Sequence, residues 1–171
     1  MARYHATVES RSPAAETFAY LATFSNAAEW DPGVLAGEQL DAGPPGPGSC
    51  FRLPVPFLGA RMSLTYEVIR FVPDREVLLR AASALLRSTD RIVVTGAEHG
   101  STVSYDAEVQ LRGPLRVLDL FLRPGFRVVA ERAAAGLADV LSRRPAGDVI
   151  ETQAAAPARS GGAAKSAGGS P

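Results

Sequence analysis

The chain has 171 residues, with 18 basic and 18 acidic side chains that cancel, which argues against a broad nucleic-acid footprint. Apolar residues make up 46%, enough for one domain with a sizeable core. A lone cysteine, Cys50, excludes an internal disulfide and a Cys-based zinc site.

The opening residues carry no apolar signal core, and no apolar run reaches the roughly 18 residues of a membrane span, so a cytoplasmic protein is expected. Residues 3–10 alternate, with Tyr4, Ala6 and Val8 on one face, and predict a first strand. Ser12 and Pro13 suit the N-cap and first position of a helix whose apolar stripe is Phe18, Leu21 and Ala22. A second short helix is expected from Ser25 to Trp30, stopped by Asp31-Pro32-Gly33. Strand-like runs follow at 36–41, 49–54, 62–71, 76–83, 88–95 and 102–112, separated by turn residues. The clearest are 62–71, with Met62, Leu64, Tyr66 and Val68 facing in, and 102–112, with Val103, Tyr105, Ala107, Val109 and Leu111 facing in. Gly113-Pro114 closes this series. A long helical segment comes next, expected to break at Pro124-Gly125 and to place Phe126, Val129, Ala133 and Leu137 on the core. From residue 145 to 171 the chain is rich in Ala, Gly, Ser and Pro and nearly free of large apolar side chains, which predicts a disordered tail behind a domain spanning 1–144. One strand, two short helices, about six more strands and a long helix describe an α+β domain. Its curved antiparallel sheet, of about seven strands, grips the last helix and leaves a cavity between them.

Several pieces of sequence stand in a telling order: Val8 before Ser12-Pro13, Phe18-Ala19-Tyr20-Leu21, and Ala28-Glu29-Trp30-Asp31-Pro32-Gly33. They continue with Tyr66-Glu67-Val68, Ser88-Thr89-Asp90-Arg91-Ile92, Val103-Ser104-Tyr105-Asp106-Ala107, Leu111-Arg112-Gly113 and Ala133-Ala134-Ala135-Gly136-Leu137. Over residues 3–141 the chain thereby resembles the SRPBCC superfamily: polyketide cyclases and dehydrases, lipid-transport proteins, StAR-related lipid-transfer domains and birch-pollen-allergen-like proteins. The resemblance implies a helix-grip fold with a deep apolar cavity. Its members bind lipids, polyketides or other apolar ligands, and some cyclise or dehydrate them. It implies no cofactor, and fold alone does not assign an activity.

A catalyst acting on such ligands needs a base beside an acidic C–H and donors for the enolate oxygen. Asp90 shares parity with the inward Ile92 and Val94, which makes it the candidate base. The competing reading has it cap the 84–88 turn or pair with Arg80 or Arg91. Tyr66 and Tyr105 each offer an apolar wall and one hydroxyl. Phe24, Trp30, Phe51, Met62 and Leu64 are expected as further wall residues, and Phe121, Phe126 and Val129 as the helix's share. His5 reads as outward-facing and His99 as a hairpin residue. No metal site, phosphate-binding glycine loop or Ser-His-Asp set is visible. The apolar runs 54–59 and 115–122 have two readings: ordinary packing on each other, or a gate at the cavity mouth, where transient contact with a membrane or carrier protein would occur. Carriage or sensing of a small apolar ligand is the first reading. A polyketide aromatase/cyclase or dehydrase is the second, and a protein-binding module with an apolar groove the third. The sequence leaves the oligomeric state open.

Overall fold

The computed structural model describes residues 1–57, 60–113 and 119–144, with side chains at all of these except 57, 60 and 119–124. Strand β1 (Ala2–Ser10) leads into helix α1 (Ala14–Ala22), a 3-10 turn (Phe24–Asn26) and helix α2 (Ala27–Trp30). Then come β2 (Glu38–Gln39), β3 (Cys50–Phe57), β4 (Ala60–Val72), β5 (Glu76–Ala82), β6 (Leu86–Ala97) and β7 (Gly100–Leu111). Helix α3 (Asp119–Arg143) closes the domain. The seven strands form one antiparallel sheet in the order β1-β7-β6-β5-β4-β3-β2. Its inner face, α1, α2 and α3 enclose the core; α3 runs against β1 and α2, and α1 against β6 and β7. Among the described residues no helix is long and apolar enough to cross a membrane.

The expected strand 49–54 is longer in the structure. Residues 54–57, read from sequence as the start of an apolar loop, continue β3 despite two prolines. The Pro54 carbonyl accepts from Leu35 N at 3.0 Å, on the side away from β4, so the N–H that proline lacks was never needed by the β4 ladder. Pro56 has the same parity. In β4 a bulge between Val68 and Arg70 resets the alternation. Leu64, Tyr66 and Val68 face in before it; Phe71 packs inward after it, edge-on to Phe18 at 5.2 Å.

Helix α1 starts one residue later than its sequence signal, with Pro13 at the N-cap. The expected break at Pro124-Gly125 is absent: α3 is continuous through both. Pro124 lies in the second turn, where it forfeits one backbone hydrogen bond without ending the helix. The buried stripe of α3 is Ala130, Ala133, Ala134, Leu137 and Leu141, with Phe126 half-buried beside it. Val129, expected in the core, is 46% exposed. Steps of four residues advance about 40° beyond a full turn, so a line drawn strictly from 141 through 137 and 133 to 129 rotates out of the interface. At Gly136 the helix passes very close to α2: a Cβ there would lie 2.1 Å from the Trp30 carbonyl oxygen. The tail at 145–171, residues 58–59 and 114–118, and the side chain of Phe121 lie outside the described residues.

Candidate functional site

Four polar side chains meet on the otherwise apolar inner face of the sheet. Ser88 and Asp90 are two residues apart on β6, so both point inward. Tyr105, on neighbouring β7, pairs across with Ile92, one inward position along from Asp90. Its hydroxyl donates to Asp90 Oδ1 at 2.6 Å. Ser88 Oγ donates to Asp90 Oδ2 at 3.1 Å, and Tyr66 Oη donates to Ser88 Oγ at 3.0 Å. Tyr66 belongs to β4, two strands away from β6. The residue between them on β5 is Ala81, paired with both Tyr66 and Ser88, and its single methyl lets the phenol reach across. Ala107, opposite Asp90 on β7, is similarly small.

All four side chains are buried, Asp90 being 4% exposed. Burial is the main force on the Asp90 carboxyl, pushing it up to about 6. The hydroxyls of Tyr105, Ser88 and Tyr66 pull the other way, and the charge of Asp31 adds to the rise. Burial, then the charge of Asp90, raises both tyrosines well above the usual phenol range. Asp31 itself is half-buried where α2 ends; its Oδ1 accepts from Gly33 N at 2.7 Å, and burial raises its carboxyl too.

Aromatic rings surround this network. Phe24 stands edge-on to Tyr66 at 5.1 Å and to Phe51 at 6.3 Å, and Trp30 is edge-on to Tyr105 at 5.7 Å. Leu64 is buried beside them and Met62 is half-buried.

The structure thus brings Asp90, Tyr66 and Tyr105 together. It removes the competing pairing of Asp90 with Arg80 or Arg91. Those arginines have the opposite parity, and Arg91 Nε instead meets the buried Glu76 carboxylate at 2.9 Å on the outer face. Val129 takes no place in the core, though its Cγ1 would lie 3.4 Å from a Cβ on Gly33. His5 faces outward, as expected, against Asp106 at 2.7 Å. Two participants escaped the sequence reading. Ser88 carried the signal of parity with Asp90. Asp31 read only as a helix stop, and no local pattern marks it as facing the interior's charges. A hollow of about 480 Å³ bounded by Arg3, His5, Leu78, Arg91 and Asp106 lies on the outer face, away from this network. Among the described residues no group of His, Cys, Asp and Glu could hold a metal ion.

The family model for polyketide cyclase / dehydrase and lipid transport matches residues 1–142. A START superfamily protein from Mycobacterium smegmatis superposes with a TM-score of 0.66 at 16% identity, covering 81% of this chain and 96% of its own. The Zhui aromatase/cyclase from Streptomyces sp. R1128 gives 0.63 at 16% identity, covering 81% and 90% respectively. The di-domain aromatase/cyclase BexL of the BE-7585A biosynthetic pathway gives 0.61 at 19% identity, over 84% of this chain and 50% of that one. At these identities the likeness concerns the fold. No curated protein matches the chain in sequence.

Proposed function

The chain belongs to the polyketide cyclase / dehydrase and lipid transport family, and from that premise we propose that it is a cytoplasmic carrier or sensor of one small apolar ligand. The ligand lies between the inner face of the sheet and α3, walled by Phe24, Trp30, Phe51, Met62, Leu64 and Phe126. Its polar end meets the network of Asp90, Ser88, Tyr66 and Tyr105. The observation that carries this reading is that connected polar cluster on an apolar interior face. A buried polar network has to be fully satisfied to be tolerated, and this one is, leaving acceptor capacity for a guest. The test is Nile red, an uncharged fluorescent dye. The native protein is expected to bind it with a blue-shifted emission and to change Trp30 fluorescence. Protein on which Nile red remains dark refutes a ligand-binding interior. Native mass spectrometry of freshly purified protein then identifies any co-purifying ligand.

One observation favours a second reading, an aromatase/cyclase or dehydrase. A carboxyl near 6 is ionised at neutral pH yet basic enough to take a proton from carbon next to a carbonyl. The C–H bond would break, its electron pair would form the enolate, and the proton would end on Asp90. That proton releases the Tyr105 hydroxyl from Asp90 and frees it to donate to the enolate oxygen. Under this reading Asp90→Asn abolishes turnover of a poly-β-ketone while Nile red still binds. Turnover that survives the change rules it out.

A further inference from the structure

The direction of the hydrogen bonds restricts what the interior can hold. An ionised carboxylate only accepts, so both Asp90 oxygens take protons from their neighbours: Tyr105 gives its single hydrogen to Oδ1 and Ser88 gives its own to Oδ2. With Ser88 committed, its oxygen accepts from Tyr66, whose single hydrogen is thereby used as well. Every proton of the network runs towards Asp90. What remains is lone pairs on Tyr66, Tyr105 and Asp90. Asp31 adds a second, half-buried carboxylate, whose Oδ1 holds Gly33 N. The buried side chains of the described residues include no Lys, Arg or His that would supply positive charge inside.

We propose that this interior selects uncharged ligands that donate a hydrogen bond, phenols above all, and discriminates against carboxylates, with Asp31 and Asp90 as the specificity-determining residues. The inference rests on the reading of the interior as a ligand site and goes beyond it by fixing the ligand's polar group. A phenol hydroxyl donates into the lone pairs that the network's own hydrogen bonds leave open. A methyl ether offers no proton. A carboxylate brings a third negative charge beside two that already oppose one another, since the charge of Asp31 acts on Asp90.

The experiment displaces Nile red from the full chain with three probes sharing one ring system: 2-naphthol, 2-methoxynaphthalene and 2-naphthoate, at about pH 7.5. The expected order is naphthol tightest, the ether about tenfold weaker and naphthoate at least about thirtyfold weaker. Asp31→Asn and Asp90→Asn are each expected to recover naphthoate binding severalfold, with near-ultraviolet circular dichroism confirming a native core. In the wild type the penalty on naphthoate shrinks below about pH 6, where Asp90 takes up its proton. Naphthoate binding as tightly as naphthol overturns the proposal while leaving the ligand site intact. Discrimination unchanged in both variants overturns the assignment to Asp31 and Asp90. Nile red failing to bind at all overturns the ligand site itself.

Discussion

Replacing Asp90 with asparagine separates the cost of a buried charge from the value of its hydrogen bonds. Raising a carboxyl from 3.8 to about 6 makes the ionised folded protein less stable by about 3 kcal/mol than if the group titrated as in the unfolded chain. The folded state holds the proton more tightly, so this penalty is absent below about pH 4, grows between pH 4 and 6, and is complete above. The asparagine side chain cannot ionise and escapes it. Its amide still accepts from Tyr105, but the NH2 faces the hydrogen of Ser88, and one hydrogen bond worth about 1 kcal/mol is lost. Asp90→Asn is therefore expected to be less stable than wild type by about 1 kcal/mol near pH 4 and more stable by about 2 kcal/mol near pH 8. Urea unfolding at intervals between these limits, followed by the emission of the single tryptophan, Trp30, measures the difference directly. A difference that is the same at both ends of the range would falsify the account of Asp90 as a desolvated carboxyl.

Tyr105→Phe removes the shortest bond to Asp90, so destabilisation of about 1–3 kcal/mol is expected near pH 8 and clearly less near pH 4; a pH-independent loss would contradict this. Gly136→Ala drives a methyl into the Trp30 carbonyl and is expected to lower stability by about 3 kcal/mol and shift Trp30 emission, both read in a thermal melt. Deleting residues 145–171, whose composition cannot build a core, is expected to change the melting temperature by less than about 2 °C; a larger drop would mean the segment docks.

What was legible in the sequence tracks how local its cause is. Alternation in 62–71 and 102–112 placed Tyr66 and Tyr105 inward, and the parity of Ile92 and Val94 did the same for Asp90, because side-chain direction in a strand repeats every two residues. What required tertiary knowledge was missed. The persistence of β3 through Pro54 depends on which of its edges is unpaired, and β2 decides that by being only two residues long. The reach of Tyr66 to Ser88 depends on register, which sets Ala81 between them. The partner of Arg91 is Glu76 because the two face the same side of adjacent strands, whereas proximity in sequence had suggested Asp90. The electrostatic effect of Asp31 on Asp90 depends on how the chain folds, and its own neighbours in the chain say only that a helix ends there.

The approach of Gly136 to the Trp30 carbonyl also has a mechanical side. The close approach makes that point of α3 a natural fulcrum, since Gly136 itself has no side chain to act as a cushion against α2. From residue 136 to the helix start at Asp119 the lever arm is about 25 Å, against about 8 Å to Leu141 on the other side. A tilt of about 10° would carry the amino-terminal end through roughly 4 Å and Leu141 through little more than 1 Å. A tilt about Gly136 thus disturbs the packing of Leu141 least, and any widening between helix and sheet is delivered at the end where Pro124 has already removed one hydrogen bond.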